Sequence, residues 1–147
     1  MRFINNEVLP FVFNVNTANI STGSSDLKEF KLPILENANI NFEVNWGDGI
    51  INNITSWNDP NITHLYLTDS EYKIQITGKI DGWAFNNEND KLKITEIEKW
   101  GCFEFTNDST FYGCENLNFN SLSGIPKIST ITLFNTFRQC LSLESFN

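Results

Sequence analysis

Catalytic chemistry has few candidate residues in this 147-residue chain. His64 is the single histidine and therefore the one side chain that ordinarily titrates near neutral pH. Acid–base and nucleophilic catalysis both need a base beside the reacting group, and no sequence motif places a nucleophile next to His64. We therefore expect His64 to make a structural hydrogen bond and no residue of this chain to be catalytic.

The three cysteines do not predict a metal site or a disulfide framework. Cys102, Cys114 and Cys140 are odd in number and lack the C-x-x-C spacing of a zinc knuckle. A free buried cysteine behaves as a small hydrophobic residue. We expect all three to be reduced.

Asp48, Asp59 and Asp69 are the candidate calcium ligands, because all three fall in predicted loops. Their spacing is not that of an EF-hand, and turn formation explains each aspartate separately. The sequence therefore predicts no cofactor and no metal site, with bound Ca²⁺ as the open alternative.

Trp57 is the candidate ligand-binding aromatic residue, because it stands in a strongly polar loop at residues 56–61. An exposed tryptophan can stack on a sugar or anchor a protein contact. The plainer alternative, which we favour, is packing over one end of the fold.

Composition excludes several classes of partner. The 18 acidic and 10 basic residues give a net charge of −8, which opposes binding to nucleic acid and to anionic membranes. No apolar run is long enough for a membrane span or for the core of a signal peptide. An aromatic content of 14% beside only 19% charged residues indicates a β-rich globular protein.

Alternating apolar residues predict antiparallel strands. Apolar and polar residues alternate over residues 42–46 up to a Gly-Asp-Gly turn, and again over residues 72–76 up to Gly78. Another strand is predicted over residues 30–34. Because Pro33 cannot donate a ladder hydrogen bond, this strand should lie at an edge or a bulge. Strands with one apolar face need a second sheet to bury it. The predicted core of this sandwich is Phe42, Val44, Trp46, Tyr72, Ile74 and Ile76.

Three segments together resemble the PKD domain, a family of Ig-like β-sandwiches. They are V-N-W-G-D-G at residues 44–49, H-L-Y at 64–66 and E-Y-K-I-Q-I-T-G at 71–78. The similarity covers roughly residues 8–80, and Glu71 stands where the family usually has glycine. The resemblance implies an Ig-like sandwich over residues 1–82, in which His64 begins the strand beside the turn.

An internal repeat follows from residue 83 onward. The pattern F-x-x-C-x-x-L occurs twice, displaced by 26 positions, at Phe111, Cys114 and Leu117 and again at Phe137, Cys140 and Leu143. A fixed period of this length predicts a solenoid whose units bury their apolar residues against each other. The unit resembles the BspA-type leucine-rich repeat, which implies a cap and incomplete repeats over residues 83–147.

Two regions of the repeat segment are expected to make contacts. Trp83, Phe85 and Trp100 flank the change of character and should form the seam with the sandwich, with Trp100 in the cap. At the other end, a set of apolar residues arrives without a following unit. This candidate binding set is Phe137, Leu141, Leu143 and Phe146.

We expect this end to be covered by a second copy, by another structural protein or by further repeats. A self-contact or a neighbour in a particle is favoured, because a closed symmetric oligomer covers every exposed end. The chain is thus predicted to be a homo-oligomer or an assembly subunit.

The combined resemblance implies a non-enzymatic structural protein, as in bacterial surface proteins and in accessory proteins of phage tails, fibres or capsids. The sequence begins at the sandwich with no signal peptide, which favours a virion component assembled in the host cytoplasm. The alternative is a fragment of a secreted adhesin at the bacterial cell surface. A carbohydrate-binding module is a minor alternative.

Overall fold

The computed structural model describes residues 8–144, so the predicted contact residue Phe146 lies outside the described part. The fold is mostly β, which confirms the predicted class. Two short 3₁₀ helices, Pro60–Ile62 and Ser121–Ser123, accompany the strands. The strands are β1 (Phe11–Asn16), β2 (Glu29–Lys31), β3 (Asn41–Asn45), β4 (Ile51–Ile54), β5 (Thr63–Leu65), β6 (Glu71–Lys79), β7 (Ile94–Lys99), β8 (Glu104–Phe105) and β9 (Lys127–Ile128).

A five-stranded antiparallel sheet with the order β4-β3-β6-β1-β7 forms the centre of the fold. Its register places Val44 opposite Ile76 and Phe13 opposite Ile74, so that their buried side chains share one face. A second sheet of β2 and β5 contributes buried Phe30 to the same core. The two alternating runs of the sequence therefore lie in neighbouring strands, β3 and β6.

All of the predicted core residues except Tyr72 are buried. Tyr72 is half-buried, with its ring stacked on Tyr66 at 3.7 Å between centroids. The remaining predicted core residues of both parts are buried: Phe42, Val44, Trp46, Ile74, Ile76, Phe111, Cys114 and Leu117.

The chain beyond residue 82 shares this sheet and core. β7 pairs with β1, and at its other edge the Ile97 N–H donates to the Asn118 carbonyl at 2.9 Å. The Phe11 ring contacts both Trp83 and Phe103, with centroid distances of 5.6 and 4.6 Å. A domain boundary between residues 82 and 83 stays a prediction, and the hydrophobic core runs across it.

Three turns are stacked on one another in the repeat segment, at residues 83–87, 109–113 and 134–139. We call them the first, second and third turns. Their aromatic rings form a column in which Phe85 lies 6.2 Å from Phe111, and Phe111 lies 5.9 Å from Phe137. Phe85 stands 26 residues before Phe111, so the period extends one unit further upstream than the F-x-x-C-x-x-L pattern indicates. β8 and β9 pair in parallel beside this column.

Candidate functional site

His64 belongs to a tight cluster at the turn between β3 and β4. Its Nε2 lies 2.7 Å from Asp48 Oδ2, and its ring stacks on Trp46 at 4.7 Å with an interplanar angle of 7°. The Ile50 N–H donates to the other carboxylate oxygen of Asp48, and the Tyr66 hydroxyl donates to the Trp46 carbonyl. His64 thus fixes the turn against β5 through hydrogen bonding and stacking.

The electrostatics of Asp48 follow from this cluster. Burial on its own would raise the pKa of Asp48, but the hydrogen bonds from His64 and the Ile50 N–H, together with the charge of His64, hold it below its ordinary value. The carboxylate is therefore ionised at neutral pH. Burial raises the pKa of Tyr66, whose hydroxyl stays protonated as the donor to Trp46.

A second polar cluster is buried where the loop before β2 meets the segment before β7. Lys93 and Asp90 are both fully buried, and Ser25 connects them. The Lys93 ammonium donates to the carbonyls of Asp26 and Glu29, each at 2.7 Å, and to Ser25 Oγ at 2.8 Å. Ser25 Oγ in turn donates to Asp90 at 2.6 Å.

Asp90 completes this cluster by binding backbone groups. It accepts from the N–H groups of Ser25 and Lys31, each at 2.7 Å. Burial lowers the pKa of Lys93, and the charges of Asp90, Glu29 and Asp26 act in the opposite direction. The hydrogen-bonded groups join two parts of the chain that lie between 59 and 68 residues apart, so the cluster positions the loop against the sheet.

The cysteines at positions 102, 114 and 140 are free thiols. Burial raises the pKa of Cys114 well above its ordinary value and that of Cys140 to about 11. Cys140 Sγ donates to the Phe111 carbonyl at 3.2 Å, and Cys102 Sγ donates to the Ile76 carbonyl at 3.3 Å. These thiols contribute packing and weak hydrogen bonds.

The remaining candidate ligands stand in separate local environments. Asp59 caps the first 3₁₀ helix by accepting from the Asn61 N–H, Asp69 is exposed, and Trp57 is half-buried. Across residues 8–144, no group of three or more His, Cys, Asp or Glu side chains is arranged to hold a metal ion.

The clearest candidate binding surface is an apolar groove beside the third turn, which we call the end face. Exposed or partly exposed Ile125, Ile128, Leu133 and Phe137 form its upper part, and the rings of Trp100, Phe105 and Phe119 lie beneath. Ile125 is 93% exposed and Ile128 is 55% exposed, so the groove presents large aliphatic side chains to solvent.

Further exposed apolar side chains flank this groove in sequence. Leu122 is 77% exposed and lines an adjoining groove that also contains Ile125, and Phe134 is 69% exposed. Of the predicted binding residues, Phe137 lines the end face, Leu141 is exposed and Leu143 is half-buried. The F-x-x-C-x-x-L pattern drew attention to this end, whereas Ile125 and Ile128 lie between its two copies and were missed.

Among the described residues, no helix has the length and apolar character needed to cross a bilayer. No family model, curated protein or solved structure matches the chain.

Proposed function

We propose that this protein is a non-enzymatic interaction and assembly module that contacts another protein through its end face. The observation that carries the proposal is the set of large aliphatic and aromatic side chains exposed around one groove at residues 122–137. Contiguous apolar surface of this kind marks interaction sites in soluble proteins.

The energetics favour covering this face. Full burial of a single large apolar side chain contributes about 1.5–3 kcal/mol relative to exposure. The free energy gained by burying Ile125, Ile128 and Phe134 against a partner would therefore be comparable to a domain's net stability, which is about 5–15 kcal/mol. The groove has aromatic rings at its base, the residue type enriched at the energetic centres of protein interfaces.

In its finer form, the proposal is an Ig-like PKD sandwich followed by BspA-type repeats, serving as an accessory protein of a phage virion. The sandwich is supported by the W-G-D-G turn and H-x-Y motif, whose residues form one cluster, and by two sheets over a shared core. The repeat is supported by the 26-residue spacing of the phenylalanine rings that form the column. The virion setting rests on the resemblance of this combination to phage accessory proteins.

Purified particles provide the test. The protein should be present in them at a reproducible copy number, and Ile125→Asp with Ile128→Asp should remove it while leaving the free protein folded. Leu67→Asp is the matched control, because Leu67 is 94% exposed and lies outside the end face. Normal incorporation of the double variant would refute the end face as the contact, and recovery of the protein only at a bacterial cell surface would favour the adhesin alternative.

A further inference from the structure

The stacked turns have a direction that is set by their backbone hydrogen bonds. In the first turn, the Phe85 N–H donates to the Thr110 carbonyl of the second turn at 3.1 Å. In the second turn, the Phe111 N–H donates to the Thr136 carbonyl of the third at 2.9 Å. Each turn therefore presents N–H donors to the next turn and carbonyl acceptors to the previous one.

The third turn is the last turn of the series within residues 8–144, and its donors are unpaired there. Ser109, Phe111 and Gly113 of the second turn donate their N–H groups to Phe134, Thr136 and Arg138. The equivalent residues 26 positions later are Asn135, Phe137 and Gln139. Their N–H groups have no hydrogen-bond partner within residues 8–144. The third turn thus presents a row of three backbone donors beside the apolar groove.

The opposite side of the stack is covered by the chain itself. The Ala84 N–H donates to the Pro33 carbonyl at 2.9 Å, and the Leu35 N–H donates to the Gly82 carbonyl at 2.7 Å. Ile34 and Trp83 form an antiparallel bridge at the same place. A second copy of this chain therefore cannot add its first turn to the third turn of its neighbour.

A symmetric dimer formed through two end faces would also leave the three backbone donors without matching acceptors. A two-fold axis places the end faces of both copies in contact, and the carbonyls of residues 133–138 on that face already accept hydrogen bonds within their own chain. Buried backbone N–H groups need acceptors, and that interface would supply none at these positions. Apolar burial alone would have to offset the lost hydrogen bonds to water.

We propose that the end face binds a repeat turn of a partner protein, one that presents free backbone carbonyls together with an aromatic ring to stack on Phe137. This inference rests on the proposed interaction function and specifies the partner's chemistry. The bound turn would accept from the N–H groups of Asn135, Phe137 and Gln139, as the third turn accepts from the second. Its apolar side chains would cover Ile125 and Ile128.

The test supplies such a turn at high effective concentration. The full chain is extended by a flexible Gly/Ser linker of about 15 residues, which gives a local concentration in the millimolar range, followed by a copy of residues 104–130. The matched control carries Phe111→Asp and Leu117→Asp in the appended copy only. Amide hydrogen exchange and light scattering are measured on the extended, control and unmodified proteins.

The extended protein should remain monomeric. Its Asn135, Phe137 and Gln139 amides should exchange more slowly than the same amides in the control and in the unmodified chain. The expected factor is about tenfold if the local concentration of the appended turn is about ten times the dissociation constant. Two results would overturn the proposal. One is unchanged exchange of these three amides in the extended protein. The other is a dimer of the unmodified chain in which they are already protected, which would assign the face to a second copy. Loss of virion incorporation on Ile125→Asp would still support the proposed function in either case.

Discussion

At the scale of single residues, Asp48 holds a turn through two different donors. One carboxylate oxygen accepts from the Ile50 N–H and the other pairs with His64. We predict that Asp48→Asn lowers the free energy of unfolding by about 0.5–1 kcal/mol at pH 7, because both hydrogen bonds lie near the surface and are screened by solvent. Urea unfolding measures the change, and a double-mutant cycle with His64→Ala should show coupling between the two residues.

The pH dependence of this effect has a defined sign. The pKa of Asp48 in the folded protein lies below its ordinary value, so its contribution is complete above the unfolded-state pKa and is lost as pH falls through the folded-state pKa. The difference in stability between the parent and Asp48→Asn should therefore shrink below about pH 4. A difference that stays constant into strong acid would show that the lost stability does not come from the ionised carboxylate.

Lys93 provides the second prediction at this scale. Lys93→Met should lower the free energy of unfolding by about 3–5 kcal/mol, because it leaves Asp90 as a buried charge without its cationic partner. The exposed Lys79→Met is the control and should change stability by less than about 0.5 kcal/mol. Equal thermal unfolding of the two variants would contradict a stabilising role for the buried ammonium.

The structural role of Asp48 could be predicted from the sequence, but that of Lys93 could not. The motif of Trp46, Asp48 and His64 was visible because a turn and a following H-x-Y pattern have a local signature. Lys93 had none, since Lys91 stands two positions earlier in the same polar setting. What buries Lys93 is the loop at residues 25–29, whose carbonyls surround its ammonium only in the folded chain.

At the scale of elements, local alternation predicted strands but not their limits or their partners. The run at residues 30–34 was predicted as one strand, yet β2 ends at Lys31. Pro33 cannot donate a ladder hydrogen bond, and its carbonyl instead accepts from the Ala84 N–H. The pairing of β7 with β1 was equally hidden, because alternation defines a face and gives no information on which strand lies alongside.

The turn after β3 contains two glycines that are needed for different reasons: both have a positive φ, but only one lacks space for a Cβ. Gly47 and Gly49 both have positive φ, 85° and 94°, so alanine at either position is strained by about 1–2 kcal/mol. A Cβ at Gly47 would also collide with the Lys73 carbonyl of β6, whereas a Cβ at Gly49 would meet open space. We predict that Gly47→Ala destabilises the protein by about 1–3 kcal/mol more than Gly49→Ala, the usual cost of overpacking.

Paired chemical unfolding of the two alanine variants measures this difference directly. Because both substitutions remove the same positive-φ preference, the comparison cancels the backbone term and leaves the contact with β6. Equal destabilisation would mean that β3 and β6 separate enough at this end to admit a methyl group.

At the scale of the whole molecule, one hydrophobic core runs through both of the parts that the sequence predicts. The Phe11 ring in β1 contacts Trp83 and Trp100 from the repeat segment, at 5.6 and 6.2 Å between centroids. Phe103 lies 5.7 Å from Phe111, so the aromatic contacts continue from the sheet into the stacked turns. The sequence changes character at residue 82 because strand alternation gives way there to the 26-residue repeat. Neither local pattern carries information on how the two sets of side chains pack together.

This continuity predicts a single cooperative unfolding transition. Amide exchange at Ile74 in β6 and at Gly113 in the second turn should report the same global opening free energy, since neither part can expose its share of the aromatic core alone. Trp83→Ala should lower both values together, by about 3–5 kcal/mol, as expected for truncation of a buried tryptophan. The exposed substitution Leu67→Ala is the control and should leave both amides unchanged. If Trp83→Ala lowered protection at Gly113 but not at Ile74, the repeat segment would open independently, and the two parts would be separate cooperative units despite their shared sheet.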